Sequence, residues 1–235
     1  MINKCINSIL SALPAPSCVL CGTGATREMA LCPDCRDDLH PNHHPCPHCA
    51  APLPAAAASV CGECAGLAGG ADRVFAPYLY DQTLGRLINR FKFHSGFDCG
   101  GVLARLLEAH IAARSDPLPQ LLIPVPLHPK RLRERGFNQA LELARPLARR
   151  LAIPLDPQRI ERLRPTPPQS RLDAPRRRAN LRGAFRMRGA LTANHVALID
   201  DVITTGSTLR ELTRLLRRAG VERVECWAVA RTPRR

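Results

Sequence analysis

Apolar residues in the second half of the chain alternate between short continuous runs and stretches with helical spacing. The runs are typical of buried parallel strands, and we assign them to residues 74–80, 121–125, 196–199 and 224–230. Apolar residues recur every three or four positions over 84–91, 102–111, 138–151 and 209–216, which predicts amphipathic helices. Strands that alternate with helices predict an α/β domain with an open, mainly parallel sheet and helices on both faces.

Eight of the eleven cysteines form four Cys-x-x-Cys pairs near the N-terminus. The spacing within a pair lets two thiolates reach one metal ion, and successive pairs follow at zinc-ribbon spacing. A disulfide framework suits a small secreted domain better than a chain of this length without a secretory signal. We therefore predict two structural zinc ions bound by Cys18, Cys21, Cys32, Cys35, Cys46, Cys49, Cys61 and Cys64. Sequential pairing of the motifs fits the spacing best; a crossed pairing and a single ion remain alternatives.

The strongest functional signal is the segment Val196–Thr208, in which a buried strand leads to two acids and a loop of small residues. Such a loop before a helix offers backbone N–H groups and a favourable helix dipole to a phosphate. Asp200 and Asp201, expected to be exposed at the strand end, can accept hydrogen bonds from the hydroxyls of the attached sugar. A nucleotide hydrolase is the alternative, but none of the three lysines follows a Gly-rich loop. The loop consists of Thr204, Thr205, Gly206, Ser207 and Thr208.

Positive charge is concentrated in the second half of the chain. Residues 130–190 contain 17 basic and 5 acidic residues, a net of +12, whereas residues 1–68 contain 3 basic and 5 acidic residues, a net of −2. This distribution favours an anion or a nucleic acid as the ligand of the second half. We expect a loop after strand 121–125 to bring a cation cluster to the same sheet edge as the two acids. The cluster consists of Lys130, Arg131, Arg133 and Arg135.

A polar, proline-broken stretch covers residues 166–185. It is too long for a tight connection, and long loops of this kind often act as lids over active sites. A nucleic-acid backbone is the alternative ligand of its arginines, and the sequence does not choose between the two roles. These arginines are Arg176, Arg177 and Arg178.

The chain divides into a double zinc-ribbon domain, residues 1–68, and an α/β domain, residues 69–235. No stretch approaches the roughly 18 consecutive apolar residues of a membrane span. The short apolar run near the N-terminus is too weak for a signal peptide. We therefore expect a cytoplasmic protein without a membrane span.

All thirteen positions of Val196–Thr208 resemble the signature of type I phosphoribosyltransferases, which bind phosphoribosyl pyrophosphate (PRPP). With the cysteine motifs, Lys92-Phe-His94, Arg135-Gly-Phe-Asn-Gln139 and Asn180–Phe185, the chain resembles the ComF family over almost its whole length. This family comprises competence and DNA-utilisation proteins. A zinc-ribbon head on a phosphoribosyltransferase body is an unusual combination, so the resemblance is specific.

The resemblance implies a PRPP-binding protein of natural transformation, DNA uptake or DNA utilisation. It implies Mg²⁺ bound together with PRPP, a catalytic role for Asp200 and Asp201, 5′-phosphate binding by the Thr204–Thr208 loop and pyrophosphate binding by the cation cluster. Weakly bound single-stranded DNA and the helicase or recombination proteins of DNA uptake are the implied partners. Purine salvage is not expected, because purine enzymes carry an acid where this chain has Thr204. The acceptor is undetermined.

Three classes of function remain open at this point. The first is a phosphoribosyltransferase that acts in DNA uptake, and the second is a non-catalytic single-stranded-DNA-binding protein with a regulatory PRPP pocket. The third is an adaptor that docks through its zinc ribbons. Aromatic residues make up only 4% of the chain, which weakens base stacking but leaves backbone binding open.

Overall fold

The computed structural model describes residues 16–54, 60–66, 70–93, 96–165 and 183–233. Five strands of the described chain form one sheet in which every pairing is parallel. The strands are β1 (Arg73–Phe75), β2 (Tyr78–Leu79), β3 (Leu121–Pro124), β6 (His195–Ile203) and β7 (Arg223–Arg231). The short strands β1 and β2 both pair with β7 at one edge of the sheet. On its other side β7 pairs with β6, which in turn pairs with β3.

Helices cover both faces of this sheet, as the sequence predicts. In β6, Ala197 and Ile199 face the larger apolar core, whereas Val196 and Leu198 face the other. This alternation follows from the two-residue period of a strand and explains why the run is apolar throughout. Three helices contribute to the larger core: α3 (Gln82–Phe93), α4 (Phe97–Ala112) and α6 (Gln139–Leu151). The opposite core contains α7 (Ser207–Arg218).

The zinc-ribbon segment is attached to the edge of the sheet by backbone hydrogen bonds. The Leu79 N–H donates to the His40 carbonyl at 2.9 Å, and the Val74 N–H donates to the Pro47 carbonyl at 2.6 Å. These bonds cover a strand edge that would otherwise be open to pairing with another chain. The described part of this segment contains two short helices, α1 (Pro33–Asp37) and α2 (Gly62–Ala65).

A separate two-stranded antiparallel hairpin lies outside the main sheet. It consists of β4 (Ile160–Arg162) and β5 (Phe185–Met187). The sequence between these strands contains most of the stretch predicted as a lid. Residues 166–182 of that stretch, including Arg176, Arg177 and Arg178, lie outside the described residues.

Three local predictions were wrong in detail. The cation cluster lies on a short helix, α5 (Pro129–Arg135), and not in a loop. Its start is capped by the His128 side chain, which accepts from the Lys130 N–H at 3.2 Å, and it ends at Gly136 with a φ of 84°. These are ordinary helix start and stop signals.

The other two corrections concern strands. The predicted strand 74–80 is two strands, β1 and β2, separated by Ala76 and Pro77. Strand β6 continues past Ile199 to Ile203, so the two acids lie within it and not beyond it.

Candidate functional site

The two adjacent acids of β6 have different environments because successive side chains of a strand point to opposite faces. Asp201 is only 3% exposed, whereas Asp200 is partly exposed. An ion pair joins the Lys92 ammonium, near the end of α3, to Asp201 Oδ2. The expectation that both acids are exposed is therefore wrong for Asp201, and Asp200 is the more accessible of the two.

The environment separates the pKa values of these two carboxyls. Burial, together with the neighbouring Asp201 carboxylate, raises the pKa of Asp200 well above its usual range. Burial also opposes ionisation of Asp201, but the Lys92 ammonium outweighs it and lowers the pKa of Asp201. Asp201 is thus the ionised carboxylate of the pair, stabilised by Lys92. A cation or a hydrogen-bond donor beside Asp200 would stabilise the ionised form of that carboxyl as well.

Guanidinium groups from two elements lie close enough to act electrostatically on the acids. Burial lowers the pKa of Arg135, and the charges of Asp201 and Asp200 oppose this effect. Burial and Arg131 lower the pKa of Arg162, with Asp200 acting in the opposite direction. Arg135 is also held by Gln139, whose Oε1 accepts from Nη1 at 2.5 Å. The site therefore has a cationic rim around Asp200.

Not all members of the predicted cation cluster are equivalent. Arg131 and Arg135 are half-buried and interact electrostatically with this site, whereas Lys130 and Arg133 are exposed on α5. Arg162 of β4 was not predicted as a site residue. Its sequence context carries no distinctive signal, because β4 is short and joins the site only through tertiary structure.

The Thr204–Thr208 loop connects the end of β6 to the first turn of α7. Gly206 is the N-cap residue and has a φ of 71°, a left-handed conformation that disfavours any side chain. The Thr205 and Ser207 hydroxyls lie 3.0 Å apart. Two hydroxyls and the N-terminal end of a 12-residue helix thus lie, like Asp200, near the carboxyl end of β6.

Two arginines bind the carbonyl groups of this loop. Arg210 Nη2 donates to the Thr205 carbonyl at 2.9 Å, and Arg231 Nη1 donates to the Ile203 carbonyl at 3.0 Å and to that of Thr204. Neither arginine was predicted as a site residue. A signal for Arg231 did exist, since a charged residue at the end of the buried run 224–230 requires polar partners.

The eight predicted zinc ligands form two separate clusters, in sequential pairing. Within each cluster every sulfur lies within 4.8 Å of the others. Sulfurs of different motifs approach at 3.6 Å for Cys21 and Cys32 and at 3.5 Å for Cys49 and Cys61. Four thiolates at about 2.3 Å around a tetrahedral zinc ion would be separated by roughly 3.8 Å, so the geometry fits zinc. The first cluster is Cys18, Cys21, Cys32 and Cys35, and the second is Cys46, Cys49, Cys61 and Cys64.

Four of the six phenylalanines make ring contacts with one another or with Arg135: Phe91, Phe93, Phe97 and Phe137. Phe97 and Phe137 have ring centroids 5.5 Å apart, and the Arg135 guanidinium lies 5.4 Å from the centre of the Phe93 ring. Phe93 is 67% exposed and Phe97 is 56% exposed. Low overall aromatic content therefore does not exclude a local aromatic surface.

Comparisons with known proteins identify both parts of the chain. Residues 138–235 match the family model of the phosphoribosyl transferase domain, and residues 9–65 match that of the double zinc ribbon domain. The fold and the two cysteine clusters thus define a phosphoribosyltransferase-type α/β protein with a double zinc ribbon. In the described residues, we find no helix with the length and hydrophobicity that crossing a membrane requires.

The chain is also similar in sequence to named competence and DNA-utilisation proteins. The chain is 37% identical to DNA utilization protein YhgH of Salmonella typhi over 219 residues, which cover 92% of this chain and 90% of the relative. It is 38% identical to Competence protein F of Haemophilus influenzae over 222 residues, covering 91% and 96%. Competence protein ComFC of Streptococcus pneumoniae is 25% identical over 160 residues, covering 66% and 67%. The chain belongs to the ComF family of competence and DNA-utilisation proteins.

Proposed function

We propose that this protein binds Mg-PRPP at the carboxyl ends of its parallel strands and acts in the uptake or utilisation of DNA. One observation carries the PRPP assignment. The partly exposed Asp200 and the first turn of α7 both lie near the carboxyl end of β6, and the Thr204–Thr208 loop joins them. Acids for a ribose and a helix N-terminus for its phosphate are the two elements that a phosphoribosyl group requires.

Each part of PRPP has a partner in this arrangement. The loop hydroxyls and amides receive the 5′-phosphate, and Asp200 accepts hydrogen bonds from the ribose hydroxyls, with Asp201 held behind it by Lys92. Arg131 and Arg135 face the pyrophosphate together with Lys130 and Arg133, because guanidinium forks match the geometry of phosphate oxygens. Arg162 adds a cation on the side of β4.

The chemistry of such a site is displacement at the anomeric carbon of the ribose. A nucleophile forms a bond to that carbon while the bond to pyrophosphate breaks, and pyrophosphate leaves with the bonding electrons. Asp200 would hold the Mg²⁺ ion that accompanies PRPP, and the ion would stabilise the charge on the leaving pyrophosphate. The arginines stabilise the same developing charge.

The role in DNA metabolism follows from the relatives. Their names assign DNA utilisation or competence to proteins that align with more than nine-tenths of this chain. We extend that role to this protein, with single-stranded DNA as a weakly bound partner and the helicase or recombination proteins of DNA uptake as protein partners. Complementation of a Haemophilus influenzae strain that lacks Competence protein F tests this extension, and failure to restore transformation counts against it.

A titration calorimetry experiment tests the PRPP assignment. PRPP should bind with Mg²⁺ and more weakly without it, and ribose 5-phosphate should bind more weakly than Mg-PRPP because it lacks the pyrophosphate. Equal affinity for the two sugar phosphates would exclude the cation cluster from the site. No binding of either would exclude the whole assignment.

A non-catalytic DNA-binding protein with a regulatory PRPP pocket is the second candidate, and one observation favours it. The exposed ring of Phe93 lies against the Arg135 guanidinium, and the exposed ring of Phe97 packs against Phe137. Aromatic rings next to cations are a common platform for unpaired bases. The double variant Phe93→Ala/Phe97→Ala should weaken binding of a single-stranded oligonucleotide and leave PRPP affinity unchanged. Unchanged DNA affinity would remove this surface from the DNA site.

A further inference from the structure

Arg231 connects the second cysteine cluster to the Thr204–Thr208 loop. Its side chain is fully buried, and it is one of the largest fully buried side chains of the described protein. Nε donates to the Cys49 carbonyl at 2.9 Å, and Nη1 donates to the carbonyls of Ile203 and Thr204. One rigid guanidinium group thus spans two segments that are more than 150 residues apart in sequence.

The Cys49 carbonyl belongs to a turn whose shape depends on the metal. Cys46 and Cys49 supply two thiolates to one ion, which fixes the turn between them. The Ala50 N–H donates to the Cys46 carbonyl at 2.7 Å, and Ala50 has a φ of 54°, a conformation that alanine rarely adopts by itself. Without zinc, the thiolates of Cys46 and Cys49 would no longer fix this turn. The Cys49 carbonyl would then lose its fixed direction.

At the other end, the arginines determine where the loop amides point. In a trans peptide unit the C=O and the next N–H point in opposite directions. Arg231 binds the carbonyls of Ile203 and Thr204, and Arg210 binds that of Thr205. The amides of the three following residues, Thr204, Thr205 and Gly206, are thereby directed away from the guanidinium groups. This is the orientation that an anion site made of backbone N–H groups requires.

The space between the two segments is not closely packed. A cavity of about 190 Å³ lies between the second cluster and the start of α7, and Cys49, Cys64, Ile203 and Gly206 are among the described residues that line it. Open space thus separates these four residues in part, and their direct contacts alone do not fix the position of the turn relative to the loop. The charged hydrogen bonds of Arg231 do fix it, because both ends of the guanidinium are engaged.

We propose that the second zinc ion sets the geometry of the PRPP loop through Arg231, so that PRPP affinity depends on zinc in the second cluster. Arg231 is in this account a positioning residue and does not itself touch PRPP. The inference rests on the proposed function, since the loop is taken to hold the 5′-phosphate.

Two cysteine variants separate the clusters. Cys35→Ser and Cys64→Ser are matched, because each residue is half-buried and lies on the short helix of its own ribbon. Elemental analysis should show the loss of about one zinc ion in each. Only Cys64→Ser should weaken PRPP binding, by about tenfold, the value of one charged hydrogen bond.

Hydrogen exchange provides a readout that does not need PRPP. The Thr232 N–H donates to the Ile203 carbonyl at 2.9 Å, and the Arg210 N–H donates to the Gly206 carbonyl at 2.9 Å. Both amides should exchange faster in Cys64→Ser and keep their wild-type rates in Cys35→Ser. Faster exchange in a protein that never binds PRPP would support the positioning role and reject the proposed function. PRPP binding by the wild type with no change in Cys64→Ser would overturn the positioning role.

Arg231→Lys tests the link itself with both zinc ions present. A single ammonium cannot reach the Cys49 carbonyl and the loop carbonyls together, so the variant should keep its zinc, exchange the two amides faster and bind PRPP about tenfold more weakly. Arg90→Lys is the control, because exposed Arg90 donates to the Val19 carbonyl of the first cluster. If Cys64→Ser does not fold, wild-type exchange and PRPP affinity in Arg231→Lys would overturn the proposal.

Discussion

Lys92 and Asp201 form an ion pair that fixes the end of α3 against β6. The Asp201 side chain is almost completely buried and that of Lys92 is about four-fifths buried. Because little water reaches the pair, each charge is stabilised by the opposite charge of its partner. The pair also leaves Asp200 as the more accessible of the two adjacent carboxyls.

Removal of the lysine charge should therefore be costly. Lys92→Met leaves an unpaired carboxylate in a buried position, and the free energy of unfolding should fall by about 3 kcal/mol or more. Urea denaturation of the purified protein measures this change. Lys130→Met is the control, because Lys130 is exposed and should change the stability by less than about 0.5 kcal/mol. Equal stability of the two variants would show that the ion pair does not hold α3 in place.

Helices α3 and α4 approach closely beside Lys92, which leads to a second prediction about stability. A Cβ atom on Gly100 would lie 2.6 Å from Phe91 Cε2, whereas one on Gly101 would meet nothing within 4 Å. Gly100→Ala should lower the melting temperature, since overpacking costs about 1 to 3 kcal/mol, and should displace Lys92, the neighbour of Phe91. Gly101→Ala should raise the melting temperature slightly, because alanine favours a helix by up to about 1 kcal/mol. Equal melting temperatures would contradict the close approach of these helices.

Zinc should be present at two ions per chain, bound by the two cysteine clusters. Because metal binding contributes directly to folding of such ribbons, prolonged chelation should abolish the native ribbon structure. Elemental analysis measures the stoichiometry, and circular dichroism follows the effect of the chelator. A protein without zinc, or one whose fold withstands chelation, is incompatible with this prediction.

Single-stranded DNA should bind weakly, without sequence preference and with a steep dependence on salt. The net charge of +12 over residues 130–190 is the physical reason, since each phosphate contact releases a counterion. Changing Arg176, Arg177 and Arg178 together to Ala should reduce the salt slope by up to about three phosphate contacts. Fluorescence anisotropy at several salt concentrations measures the slope, and added PRPP should compete if the cations are shared. An affinity that does not vary with salt would place the DNA elsewhere.

Local sequence patterns predicted the parts of this protein that depend on local chemistry. Cysteine spacing indicated both zinc clusters, and the strand-loop-helix pattern of Val196–Thr208 indicated the candidate site. The short helix α5 was also predictable, because Pro129 and Gly136 are helix start and stop signals.

Contacts between distant segments could not be predicted in this way. Lys92 and Asp201 belong to different elements, and Arg231 meets Cys49 across 182 positions. Such pairs depend on how strands are ordered in the sheet, and no periodicity within one segment records that order. The burial of Asp201 was missed for the same reason, since its lysine partner comes from α3.

Calorimetric titration with Mg-PRPP tests directly whether Asp200 belongs to a PRPP site. The proteins to compare are the wild type, Asp200→Asn and Glu222→Gln. Both variants replace a carboxyl with a neutral amide, but Glu222 is exposed just before β7 begins, whereas Asp200 lies near the carboxyl end of β6. We expect the wild type and Glu222→Gln to bind Mg-PRPP equally well, and Asp200→Asn to bind it about tenfold more weakly or not at all. Equal binding by all three proteins, or binding by none, would contradict the account.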